Sequence, residues 1–69
     1  MIKTGDMIRF GYVHSTCRVN NKLAVYLGDD YIKRDDGVVI HNFKVLVVGQ
    51  DTPICCDRSV FKHMKKVEA

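Results

Sequence analysis

The 69-residue sequence contains no tryptophan, a single proline and no long uninterrupted run of apolar residues. A helix that spans a bilayer needs about 20 consecutive apolar residues, and no window of this chain has that composition. The N-terminal stretch MIKTGDMIRF has no apolar segment of the length found in signal peptides. We therefore expect a soluble protein that makes no contact with membranes and works in the cytoplasm.

Cysteine is also scarce, and the three residues present are a poor basis for a disulfide framework because their number is odd. Cys55 and Cys56 are adjacent, and adjacent residues of a strand point to opposite faces. We expect one of the two in the core, the other at the surface, and all three cysteines as free thiols.

The charge balance excludes few classes of binding partner. The net charge of +3 permits contact with nucleic acid or with an acidic protein and requires neither. No repeat, linker or low-complexity tract divides the chain, so residues 1–69 are interpreted as one domain. Its length is near the lower limit for a domain that folds without disulfide bonds or bound metal ions.

One long β-hairpin is predicted from Lys22 to Gly49, with its turn at Asp36-Gly37. Asp-Gly between two β-rich runs is a strong hairpin signal, because glycine readily adopts the positive φ of a tight turn. Pairing about this centre sets Leu27 near Leu46 and Val25 near Val48. Gly28-Asp29-Asp30 interrupts the first strand and indicates a bulge or bend. The alternative is a separate loop with two short strands.

The second strand of this hairpin is apolar on both faces. Phe43, Val45 and Val47 are predicted to point inward, with Phe43 as the central core residue. Ile40 and Leu46 then point outward, where later chain covers them or where they form a contact surface.

The rest of the chain supplies shorter strands. MIRFGYV is a strand with Ile8, Phe10 and Tyr12 on one face, and Gly11 marks a bend or a close neighbouring backbone. Residues 14–21 form a loop with a turn at its Asn-Asn pair. After a turn at 49–51, residues 52–56 form a short strand, placed at the sheet edge by Pro53. The C-terminal segment, capped by Asp57 or Ser59, is a helical turn followed by a strand, or else a short amphipathic helix.

No residue pattern indicates catalysis or a bound cofactor. The cysteines and histidines lack a local signature of an activated nucleophile, and we interpret them as packing or surface residues. His14-x-x-Cys17 has the spacing of zinc ligands, but vicinal Cys55 and Cys56 point apart and do not form a paired knuckle. The aspartate pairs 29–30 and 35–36 are assigned to bends. We therefore predict no catalytic residue, no metal and no enzyme.

Five strands and a helical turn before the last one describe a mainly β fold, a small curled barrel. The segments GDMIRF, KLAVYLG, NFKVLVVG and SVFKHMKKVE resemble the strands of small SH3-like barrels found among tailed-phage and bacterial accessory proteins. Ala24 stands where the nucleic-acid-associated KOW domains carry a glycine. The tryptophan and the acidic-aromatic signature of signalling SH3 domains are absent, so polyproline binding is not expected.

Two functions from different classes follow. The first is a non-enzymatic module that binds a host or partner protein through Ile40 and Leu46, with a homodimer as a special case; the resemblance implies the host cytoplasm if the chain is phage-encoded. The alternative is nucleic-acid binding by a basic face with interleaved aromatic side chains. The residues assigned to that face are Arg58, Lys62, Lys65, Lys66, Tyr26 and Tyr31.

Overall fold

A computed structural model describes residues 2–68 and is mainly β, with a five-stranded antiparallel sheet and one short 3-10 helix, as the sequence predicts. The strand order is β4-β3-β2-β1-β5. The first four strands therefore form a meander, and the last one returns to pair with β1. The elements are β1 (Met7–Phe10), β2 (Leu23–Lys33), β3 (Val39–Val47), β4 (Ile54–Asp57), the 3-10 helix (Arg58–His63) and β5 (Met64–Lys66).

Strands β2 and β3 form the predicted long hairpin, but the predicted register is wrong. Val25 lies opposite Leu46 and not Val48. The hairpin loop has three residues, 35–37, and is closed by a hydrogen bond of 2.8 Å from the Arg34 amide to the Val38 carbonyl. The three-residue loop shifts the pairing by one residue relative to a turn centred between residues 36 and 37. An irregularity in β2 shifts the pairing of β2 with β3 by one further residue.

That irregularity is a β-bulge at Leu27 and Gly28, where the pairing with β3 changes register. Gly28 has a φ of +121°, a backbone conformation that side chains with a Cβ rarely adopt. The bulge also inverts the alternation of β2. Before it the even-numbered Tyr26 shares a face with the core, and after it the odd-numbered Asp29 and Tyr31 continue that face.

The core lies on one face of the curved sheet and is centred on Phe43, as predicted. Phe43 is fully buried, and its ring centroid lies 6.5 Å from that of Phe10, 5.9 Å from Tyr26 and 5.7 Å from Phe61. Close-packed aromatic rings bury large apolar areas and dominate the stability of small cores. The other buried residues are Ile8, Val19, Ala24, Val45, Val47, Ile54, Cys56 and Met64.

The end of β1 departs from the prediction at Tyr12, which is 61 % exposed and does not continue the buried face of Ile8 and Phe10. The strand ends at Phe10. The next amide, that of Gly11, still donates a 2.9 Å hydrogen bond to the His63 carbonyl, and the chain leaves the sheet after it. The sequence indicates a bend or a close neighbouring backbone at Gly11. A Cβ there would lie 3.8 Å from the His63 carbonyl oxygen, which is an ordinary van der Waals distance.

The C-terminal segment is the first of the two predicted alternatives, a helical turn followed by a strand. Asp57 caps the turn by accepting a 2.8 Å hydrogen bond from the Ser59 amide. Strand β4 lies at a sheet edge with Pro53 just before it. Cys56 is buried and Cys55 is exposed, as the strand alternation predicts. Within residues 2–68, no helix has the length and apolar character needed to cross a bilayer.

Candidate functional site

The part of the hairpin beyond the bulge, residues 29–42, extends past the core and is called the hairpin arm here. None of its residues is buried, and all those from 31 to 39 are exposed. Four of them are large and hydrophobic: Tyr31 is 64 % exposed, Ile32 44 %, Val38 49 % and Val39 57 %. Grouped exposed apolar side chains of this kind mark interaction surfaces.

The inner face of the hairpin arm continues the face of the sheet that bears the core. Tyr31 and His41 lie directly opposite each other, and their rings stack with centroids 4.5 Å apart and planes at 9°. His41 Nε2 lies 3.4 Å from Asp29 Oδ1, which also accepts a hydrogen bond from the Tyr26 hydroxyl. His41 Nε2 is buried and makes no well-aligned hydrogen bond.

The ionisation of this cluster is set by its contacts. The hydrogen bond from the Tyr26 hydroxyl holds the pKa of Asp29 below its usual range, and His41 and Arg58 act in the same direction. Burial, and then the bond to Asp29, raise the pKa of Tyr26 to about 12. At neutral pH the inner face therefore presents a carboxylate to solvent beside a neutral phenol.

The base of the inner face is formed by Phe61 from the 3-10 helix. Its ring meets Tyr26 and Phe43 edge-on, with centroid distances of 6.3 and 5.7 Å. The Arg58 guanidinium lies over the Phe61 ring, 4.1 Å from its centroid, in cation–π geometry. Aromatic rings, a carboxylate and a guanidinium thus lie on the same face of the hairpin, a combination typical of protein recognition.

Alkaline unfolding tests the burial of the Tyr26 hydroxyl together with its hydrogen bond to Asp29. Tyr26 loses its proton near pH 10 in the unfolded chain and at about pH 12 in the folded one. Since the folded state holds the proton more tightly, this contribution to stability is complete below pH 10 and is lost as pH rises through 12. Between those pH values, the free energy of unfolding should fall by roughly 2–3 kcal/mol more in wild type than in Tyr26→Phe.

Urea denaturation at each pH measures the difference, with Tyr31→Phe as the matched control because Tyr31 is exposed. The control variant should keep the wild-type decline. An identical decline in wild type and Tyr26→Phe would show that the Tyr26 hydroxyl is not held in the folded state as described.

The outer face carries the two residues predicted for partner binding, and the structure does not bring them together. Ile40 is half-buried opposite Ile32, and Leu46 is half-buried opposite Val25. Between these two apolar pairs lie Asn42 and Lys44, and the Lys44 ammonium is 3.8 Å from an Asp30 carboxylate oxygen. Ile40 therefore belongs with the hairpin arm, whereas Leu46 lies beside the core.

The six residues assigned to a nucleic-acid face do not share one surface. Tyr26 is only 5 % exposed, so its assignment to base stacking is wrong; its ring packs in the core. Lys65 and Lys66 are neighbours in β5 and point to opposite faces. The Lys66 ammonium lies 3.5 Å from the Asp6 carboxylate, and Arg58 packs on Phe61. Tyr31 and Lys62 are exposed.

All three cysteines are free thiols, as the sequence predicts. Cys17, Cys55, Cys56 and His14 line one open cavity of about 230 Å³. Burial raises the pKa of the Cys56 thiol to about 11, so this thiol is protonated at neutral pH and a weak nucleophile. Among residues 2–68, no three His, Cys, Asp or Glu side chains are grouped as metal ligands.

The sequence interpretation missed the cluster of Asp29, Tyr31 and His41. It assigned Asp29 to a bend, but Asp29 lies within β2 beyond the bulge. The position of Gly37 in the sequence could have predicted this cluster. Gly37 has a φ of +87° and is the last of three loop residues, and a loop of that length sets Tyr31 opposite His41.

Comparisons with protein-family models, with curated proteins and with solved structures found no significant match to this chain.

Proposed function

We propose that this protein is a non-enzymatic binding module that attaches to a partner protein through its hairpin arm. The observation that carries the proposal is the run of exposed residues from 31 to 39, which holds Tyr31, Ile32, Val38 and Val39 beyond the edge of the core. Burying these apolar side chains against a partner would stabilise the complex, because apolar surface that is exposed to water in the free chain would be removed from it. Ile40 lies opposite Ile32 on the outer face of the same hairpin arm.

The chemistry of the inner face defines the kind of partner. Asp29 supplies a carboxylate, Tyr31 an exposed aromatic ring, and Arg58 a guanidinium at the base of the hairpin arm. A protein surface with an apolar centre and a rim of both charges complements this arrangement, because interfaces combine an apolar core with a polar rim.

We also propose that the chain folds as an SH3-like barrel. A four-stranded meander, a 3-10 helix and a fifth strand that returns to β1 support an SH3-like barrel. The bulge at Gly28 supplies the bend in β2 that such a barrel needs. Resemblance to phage and bacterial accessory proteins supports action in the cytoplasm, in the host if the chain is phage-encoded.

Affinity purification with a matched pair of variants tests the hairpin arm. In the first variant Ile32→Thr and Val39→Thr are combined, because threonine keeps the β-branched shape and the strand preference while it removes the apolar contact. The control is Val48→Thr, since Val48 is as exposed as Val39, 57 %, and lies outside the hairpin arm. The double variant should recover at least tenfold less of the partner than wild type, whereas the control should recover a wild-type amount.

Thermal unfolding of all three proteins shows whether they are equally folded, and sedimentation shows whether the partner is a second copy of the chain. Equal recovery of the partner by the double variant would contradict the proposal. So would wild-type protein that recovers no protein in stoichiometric yield and sediments as a monomer.

A further inference from the structure

A second surface, separate from the hairpin arm, carries positive charge without compensation. Arg9 in β1 and Lys65 in β5 are directly opposite each other on neighbouring antiparallel strands. Like charges in this position repel each other, since the Cβ atoms of directly opposed residues are about 5 Å apart. Among residues 2–68, neither side chain has a carboxylate within ion-pair distance.

The two cations line a cleft of about 250 Å³ at the end of β1. His63, the last residue of the 3-10 helix, and Asn21 also line the cleft. Both are residue types whose side chains can donate a hydrogen bond. The lining is completed by Phe10 and Gly11.

The backbone holds this cleft in shape. The Gly11 amide donates to the His63 carbonyl at 2.9 Å, and the Asn21 amide donates to the Gly11 carbonyl at 3.2 Å. The Phe10 amide donates to the Lys22 carbonyl at 2.9 Å. These bonds connect β1, the 3-10 helix and the loop before β2, so the backbone around the cleft is in place before any ligand arrives, which lowers the cost of binding.

We propose that this cleft binds a phosphate group. Arg9 and Lys65 supply the charge, and a phosphate between them would turn their repulsion into two charge-assisted hydrogen bonds. The size supports a single phosphate group in preference to a whole nucleotide, because pockets for drug-sized ligands measure about 300–1,000 Å³. The phosphate is free in solution or belongs to a nucleic-acid backbone, since both present the same oxygen atoms.

Thermal unfolding in inorganic phosphate, compared with sodium chloride at the same ionic strength, tests the site. Phosphate should raise the melting temperature of wild type in a saturable manner, because a ligand that binds only the folded state stabilises it. Arg9→Gln and Lys65→Gln should each lower the affinity for phosphate at least tenfold. Lys3→Gln is the control and should keep the wild-type response, because Lys3 is exposed and lies neither in the hairpin arm nor in the lining of the cleft.

The melting temperatures of the variants without phosphate distinguish a binding role from a purely structural one. Arg9→Gln without phosphate should melt at the wild-type temperature or above it, since it removes a repulsion. A melting temperature of wild type that rises no more in phosphate than in chloride would overturn the site, as would a phosphate response that persists in both variants.

A short single-stranded DNA oligonucleotide in a second set of titrations identifies the source of the phosphate. Displacement of the oligonucleotide by inorganic phosphate would support the site with a nucleic-acid backbone as the source. Phosphate binding without oligonucleotide binding would support it with a free phosphate as the source. Oligonucleotide binding that phosphate does not displace, with no phosphate-specific rise in melting temperature, would overturn it. None of these outcomes depends on the hairpin arm.

Discussion

Replacing Phe43 by alanine is expected to leave the chain largely unfolded at room temperature. The Phe43 side chain is fully buried and packs against the rings of Phe10, Tyr26 and Phe61. Truncation of a buried phenylalanine costs about 3–5 kcal/mol, because it removes apolar contact and leaves a cavity. A domain of 69 residues has a total stability of about 5 kcal/mol, so little or none would remain.

Circular dichroism during heating measures the effect, with Val39→Ala as the control on the same strand. Val39 is 57 % exposed, and its truncation should shift the melting temperature by no more than a few degrees. A Phe43→Ala variant that keeps a cooperative transition within a few degrees of wild type would contradict the position of the core.

The second large effect is expected at the bulge, from Gly28→Ala. The φ of +121° at Gly28 is unfavourable for any residue with a Cβ, and the new methyl group would lie 3.1 Å from Thr4 Oγ1. Strain of this kind costs about 1–3 kcal/mol. We expect the melting temperature to fall by roughly 5–20 °C, since 1 kcal/mol corresponds to about 4–8 °C in a domain of this size.

Two further variants separate the sources of that loss. At Gly37, which has a φ of +87°, an added Cβ meets nothing within 4 Å, so Gly37→Ala reports backbone strain alone. Thr4→Ala combined with Gly28→Ala removes the crowded neighbour and should recover part of the loss. If Gly28→Ala melts at the wild-type temperature, the bulge does not have the geometry described.

The interior of the fold was predictable because strand alternation depends only on local geometry. In β3 the pattern of Phe43, Val45 and Val47 fixes which face is buried, and it is independent of the pairing partner. The register was not predictable in the same way, because it depends on the loop length around Gly37 and on the bulge at Gly28. Each shifts the pairing by one residue, and no hydrophobic pattern records such a shift.

The candidate site was predictable only in part, for the same reason. Ile40 was placed on the outer face because its neighbours in β3 alternate regularly. Tyr26 and Tyr31 were treated as equivalent surface aromatics, yet one is buried and the other exposed. The core ends at the bulge, and the inversion of alternation there sets Asp29 beside Tyr26 and Tyr31 opposite His41. The sequence predicts a bulge or bend at Gly28-Asp29-Asp30 but does not specify that the alternation inverts there, so it does not place all four side chains.

The role of the hairpin arm is tested most directly by amide hydrogen exchange of the protein, free and bound to the partner recovered by affinity purification. Residues 31–39 are exposed throughout and lie beyond the core, so their amides should exchange fastest within the hairpin in the free protein. Binding should slow exchange between residues 29 and 42 at least tenfold and leave β1 and β5 unchanged. Slowed exchange confined to β1 and β5, with the hairpin arm unchanged, would contradict the proposed docking surface.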